Sequence, residues 1–133
     1  RQDDLLDVLA QVRRDTRLPQ WAANQSRTER LNVLLGSEYR HVVDGYDVNL
    51  GGTSLEEWVR RISLAVLVLF SSKSYDDFFF LHLVTGARAL ERIVGEVESL
   101  WVRQQAVRYF WRVIVMTYIV HGRVLVAYPK LDA

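Results

Sequence analysis

Cysteine is absent from the chain, and with it go disulfide frameworks, thiolate zinc sites, iron–sulfur clusters and thiol nucleophiles. Any chemistry here runs through nitrogen and oxygen ligands. An excess of either charge is also missing: 17 Lys and Arg stand against 16 Asp and Glu, a formal net charge of +1. Nothing electrostatic therefore calls for nucleic acid or an anionic membrane as partner. Long hydrophobic runs are lacking too. The two longest, Leu64 to Phe70 and Val113 to Val120, fall far short of the ~20 residues that span a bilayer. The opening RQDDLLDVL has neither the apolar stretch nor the cleavage pattern of a secretory leader. A cytoplasmic protein that binds neither membrane nor nucleic acid is the expectation. The glycine motifs GxGxxG, GxxxxGK[ST] and GxSxG do not occur, and Gly51-Gly52 is not followed by a lysine, so nucleotide chemistry is disfavoured.

What is present is a globular balance. Half of the 133 residues are apolar, 11% aromatic and 25% charged, and a domain of this size buries roughly two thirds of its unfolded surface. One helical domain over residues 1–133 is expected, with no internal repeat and no low-complexity stretch.

Apolar residues at Leu5, Leu6, Val8, Leu9 and Val12, with Asp3 and Asp4 before them and Arg13 and Arg14 behind, have helical spacing and suit the helix dipole. Pro19 ends this segment. Ser26 and Glu29 form a capping-box pattern ahead of Leu31 to Leu35, and Gly36 interrupts before the helix resumes through Val43. Asp44 to Gly52, rich in turn residues, is the longest loop. Ser54 and Glu57 open a helix through Phe70, amphipathic at first and apolar all round in a second half expected to be buried. Asp76 or Asp77 can cap a helix from about Phe78 to Val94, another runs from near Trp101 to Gly122, and Pro129 closes an extended tail. About five helices and no period-2 pattern put the chain in the all-α class, as an irregular bundle. The helices from Phe78 and through Trp111 should pack side by side as the core pair, more buried than the first two.

Three histidines lie on three different segments, so any shared site is assembled by folding. His41 sits in a polar stretch and reads as a solvated side chain. His121 precedes Gly122 at a helix end, where its imidazole can meet unpaired carbonyls. His82 lies among apolar residues in DFFFLHLVTGARAL, with Phe78, Phe79, Thr85 and Gly86 three and four positions away. The small residues there either let another helix approach or leave space for a ligand. Arg112 interrupts YFWRVIVMTYIV, a helix apolar on all sides, and a buried guanidinium needs a partner, with Asp76, Asp77 and Glu91 as candidates.

Taken together, DDLLDVLAQVRRDTRL, DFFFLHLVTGARAL and AVRYFWRVIVMTYIVHG resemble the C-terminal part of the questin oxidase-like family. The family motif Asp-Phe-Phe-x-x-His-x-x-Thr is matched by Asp77, Phe78, Phe79, His82 and Thr85, and its later Trp, Tyr and Gly by Trp111, Tyr118 and Gly122. The resemblance implies a helical oxygenase of secondary metabolism that acts on aromatic polyketides such as anthraquinones, using mononuclear non-haem iron. It makes His82 a metal ligand and Arg112 and Thr85 catalytic positions, with Phe78, Phe79, Gly86, Trp111 and Tyr118 lining the substrate pocket. Fungal members carry a lysine directly after the Trp where this chain has Arg112, and an arginine stays protonated and binds anions rather than metal. The family's other histidines lie in an N-terminal region that this chain does not contain. A complementary N-terminal polypeptide is therefore expected as partner, and no turnover is expected from the chain alone.

Without a flavin or nicotinamide motif, an oxidation needs a bound metal or direct reaction of an electron-rich substrate with oxygen. Two other functions fit the same residues: a non-catalytic helical partner subunit, or a metal-free protein that binds an apolar small molecule beside Thr85, Gly86 and Ala89. The oxygenase reading expects His82 to be buried at a polar cavity facing Arg112. The apolar helices are expected to leave surface uncovered, for a homo-oligomer or for docking onto a larger enzyme.

Overall fold

The computed structural model describes residues 5–72 and 78–123, and these form six helices and no strand. They are α1 (Leu5–Arg14), α2 (Arg27–Leu34), α3 (Ser37–Asp44), α4 (Leu55–Ser72), α5 (Phe78–Glu96) and α6 (Leu100–Val120). Gly36 divides α2 from α3, which is why one more helix is found than the apolar pattern suggested. Asp76, Asp77 and Pro129 lie outside the described residues, as do the side chains of Phe78 and Phe79. Among the described residues, no helix is long and apolar enough to cross a membrane.

The helix starts follow their capping residues. Ser26 Oγ accepts from Glu29 N at 3.1 Å while Ser26 N donates to Glu29 Oε1 at 2.9 Å, so both halves of the capping box form. At α4 only one half does. Glu57 N reaches Ser54 Oγ at 3.1 Å, but the Glu57 carboxylate turns to Arg60 at 2.6 Å and Arg61 at 3.1 Å. Ser99 caps α6 through Val102 N at 3.2 Å.

The end of α6 is built with more care than any other. Gly122, at φ 89°, donates to Ile119 O, and Arg123 N donates to Tyr118 O, both at 3.0 Å. This paired pattern closes a helix through a residue of positive φ, a conformation glycine adopts without strain. Side chains from far along the sequence bind the carbonyls of the same turn. Trp21 Nε1 donates to Ile119 O at 2.7 Å and Arg30 Nη1 to Val120 O at 2.9 Å, with the Arg30 guanidinium over the Trp21 ring. Arg123 in turn reaches back to the end of α1, donating to the carbonyls of Val12 and Asp15 at 3.0 and 2.9 Å. The connection after α1, α2 and the tail of α6 are thereby tied at one point.

α6 runs through the centre. Val107, Trp111, Ile114, Val115, Tyr118 and Ile119 are buried on it, and every other helix except α3 and α2 adds its own apolar stripe, those two contributing Val42, Val43 and Leu34. α5 and α6 pack side by side, as expected, and α4 packs against both of them, most extensively against α5. α4 buries eight side chains from Leu55 to Leu69, whereas the described part of α5 buries Leu83, Ala87, Leu90 and Val94 on one stripe. The short α1, with Leu9 and Val12 fully enclosed, is the more deeply set of the two. The second half of α4 is likewise one-sided: Ala65, Val66, Val68 and Leu69 face inward while Leu64 and Leu67 stand more than half exposed. Apolar residues all round a helix do not enforce burial all round when its neighbours, here α1, α5 and α6, cover only one side of it.

Candidate functional site

Two grooves lie side by side along the outer face of α6. The first, between α3 with the loop behind it and α6, has a volume of about 310 Å³ and is walled by Val43, Tyr46, Trp101, Tyr109, Trp111 and Val115. The second, between α2 and α6, encloses about 450 Å³ and is mainly apolar, with Leu31, Leu35, Val113, Met116 and Val120 on its walls and His121 at one end. Both volumes fall in the range of small-molecule sites. Tyr109 and Arg112 line both grooves and form the ridge between them.

The first groove is held open by specific contacts. Trp111 is buried with its ring on the groove wall, and its Nε1 donates to Tyr46 O at 2.8 Å. Tyr46 is fixed from its other end, where the phenol donates to Asp15 Oδ2 at 2.5 Å. Burial and this carboxylate push the Tyr46 hydroxyl up to about 12. Asp15 in turn accepts from Arg17 Nε and Nη2 at 3.0 and 2.7 Å, and this pairing, with the Tyr46 bond, holds its carboxyl well below the usual carboxylate range despite burial. The mouth carries two ion pairs, Arg108 with Asp47 and Arg112 with Asp44. Asp47 raises the Arg108 guanidinium pKa above its ordinary value. Beside them stand Trp101, 67% exposed, and Tyr109, 70% exposed. Two large aromatic side chains this open, next to two arginines on one helix face, have the composition of a binding surface rather than of a solvated helix.

The residues singled out in the sequence are dispersed. Arg112 is not buried: its side chain is 44% exposed and its partner is Asp44 at the end of α3, not Asp76, Asp77 or Glu91. His82 is exposed on α5 and belongs to neither groove lined by Arg112. The two do not face one another. α5 packs on α6 at Phe110, and Arg112, two residues on, leaves the helix about 200° further round, toward α3. Gly86 explains the close approach: a Cβ there would lie 2.6 Å from Phe110 Cε1. The small residue admits a neighbouring ring, and the space beside it is filled by Phe110 rather than open to a ligand. Thr85 is exposed and donates from Oγ1 to His82 O at 3.0 Å within its own helix. Tyr118 lies fully inside the core, where burial raises its hydroxyl pKa, and lines neither groove. Trp111 alone of these residues is both buried and on a groove wall.

His41 is exposed on α3, as its polar surroundings suggested. His121 closes α6, buried, with Nδ1 2.9 Å from Thr117 O. A carbonyl only accepts, so Nδ1 carries the proton there. The three histidines therefore stand apart. Among the described residues, no three His, Asp or Glu side chains come close enough to hold a metal ion.

The questin oxidase-like family model matches residues 1–133. The chain belongs to the questin oxidase-like family. No curated protein and no solved structure matches it. Family membership places the chain with oxidases and makes an oxidoreductase-type role the relevant frame for the grooves. The described residues do not by themselves supply the several converging N or O donors that a mononuclear iron site needs. No step is derived through a metal on these residues.

The sequence reading missed Asp44, Asp47, Arg108, Trp101 and Tyr109. A signal for them existed. Arg108 and Arg112 are four apart, hence on one helix face, and Asp44 and Asp47 punctuate the loop that the same helix must pass.

Proposed function

We propose that this questin oxidase-like chain supplies the substrate-holding part of an oxygenase acting on aromatic polyketides of the anthraquinone kind. The observation that carries this reading is the α3–α6 groove, whose exposed Trp101 and Tyr109 and buried Trp111 offer flat apolar faces beside fixed polar groups. Flat rings stack on such faces, and a few polar groups at the rim set their orientation. In this reading the oxidising centre is a non-haem iron held by polypeptide outside this chain and brought to the α3–α6 groove on assembly, since His82 and Thr85 on α5 lie away from that groove.

The test is assembly. The chain alone and the chain co-expressed with the family's N-terminal region are purified and compared for iron content and for oxygen uptake with a hydroxyanthraquinone. The expected result is stoichiometric iron and turnover in the complex only, with Trp101→Ala weakening substrate use by the complex while leaving its iron content unchanged. Iron and oxygen consumption by the chain alone would overturn the division of ligands between polypeptides. A metal-free binding protein for apolar small molecules is the second reading, favoured by the apolar α2–α6 groove. It gives binding without turnover even in the complex.

A further inference from the structure

We infer that the α3–α6 groove selects ring systems bearing an acidic oxygen, a carboxylate or an ionised phenol, by exchanging Asp44 for the ligand at Arg112; this rests on the aromatic-groove reading above. Both arginines of the groove already hold carboxylates, so their guanidinium forks are aimed at the place where such a group sits. They are not held alike. Arg108 sends both Nε, at 3.0 Å, and Nη2 to Asp47 Oδ2, and Asp47 belongs to the loop that the Trp111–Tyr46 bond anchors one residue earlier. Arg112 meets Asp44 through Nη2 alone; the two arginines are almost equally exposed, so the difference lies in the number of bonds and in the anchoring of the Asp47 loop.

The Arg108 pair is thus the fixed wall and the Arg112 pair the exchangeable one. An exposed ion pair of this kind contributes little net stability because solvent screens it. Replacing one carboxylate by another therefore costs little, while a ligand that brings an aromatic ring gains contact with Trp101 and Tyr109 that Asp44 cannot make. An arginine suits this role because it stays charged at any working pH and meets a carboxylate through two parallel N–H groups. Its position on the ridge, lining both grooves, sets the acidic group at the boundary between the aromatic groove and the aliphatic one.

Tryptophan fluorescence of the full chain, titrated with anthraquinone-2-carboxylate and with the neutral 2-hydroxymethylanthraquinone, reads the selection directly. The expected result is binding of the carboxylate about tenfold or more tighter than its neutral counterpart. Arg112→Gln should erase that preference, and Asp44→Asn should tighten the carboxylate further by removing its competitor. Arg88→Gln, an exposed charge on α5, should leave the preference intact and thereby control for net charge. Equal affinity for the two probes, or a preference that survives in Arg112→Gln, overturns the selection while leaving the aromatic groove standing. If neither probe binds a chain shown to be folded by circular dichroism, the groove reading falls and the selection with it.

Discussion

Replacing Trp111 by phenylalanine tests how the groove is held open, because one indole both fills the core and bonds the loop. The substitution removes the Nε1–H that reaches Tyr46 O at 2.8 Å from a residue only 1% exposed. A carbonyl that loses a part-buried donor costs about 1–3 kcal/mol. The part of the indole that phenylalanine cannot replace leaves a void among closely packed neighbours, adding about 1 kcal/mol. The sum, about 2–4 kcal/mol, is a large share of the roughly 5–15 kcal/mol that holds a domain together. For a chain of this length it should lower Tm by roughly 6–16 °C. Urea unfolding followed by circular dichroism should show the midpoint fall with the slope unchanged.

Trp101→Phe is the matching control. It is the same chemical change ten residues earlier, on a side chain 67% exposed, and stability should stay within about 0.5 kcal/mol. Groove binding should fall in both variants, in Trp111→Phe because the Tyr46 loop is released and in Trp101→Phe because a ring face is reduced. Equal stability of the two variants would refute the reasoning, since it would mean that neither burial nor the Tyr46 bond distinguishes them.

Gly86→Ala should destabilise by about 1–3 kcal/mol, because its Cβ would meet Phe110 Cε1 at 2.6 Å; Gly86→Ala combined with Phe110→Leu should recover part of the loss in the same urea assay. Ser26→Ala removes the acceptor of Glu29 N and should cost about 1 kcal/mol, read as a fall in the thermal midpoint, whereas an unchanged midpoint would mean that the box adds nothing to α2. Stability against pH should be limited at the acid end by Asp15, held down chiefly by Arg17, and at the alkaline end by Tyr46, raised first by burial and then by Asp15. The Asp15 carboxyl has its pKa lowered by folding, so its contribution is complete above about pH 4 and is lost as pH falls toward the folded value. The Tyr46 hydroxyl has its pKa raised to about 12, so its contribution is complete below about pH 10 and is lost as pH rises through the folded value. Tyr46→Phe should flatten the alkaline limb of a urea-midpoint profile, and an unchanged limb would show that the Tyr46 hydroxyl does not set it.

The all-helical class and most helix boundaries were legible in the residues because the signals are local. Ser26 with Glu29, Gly36, Ser54, and Gly122 after His121 mark starts and stops through bonds made within a few positions, and a capping residue acts on its own helix wherever that helix later packs. The family was legible from motif spacing for the same reason, since spacing survives whatever the tertiary arrangement is. The structure decided which faces meet. His82 and Arg112 both interrupt apolar stretches, and that pattern is the same whether the polar group is enclosed or turned outward. The choice depends on whether another helix covers that arc, and α5 meets α6 at Phe110 and not at Arg112. Asp44 and Asp47 lie in a segment rich in turn residues, yet their second role, pairing with arginines 68 and 61 residues away, is a property of how α3 crosses α6. Short-range hydrogen bonding sets where helices begin and end, whereas a groove is made of residues whose proximity exists only after the chain has folded.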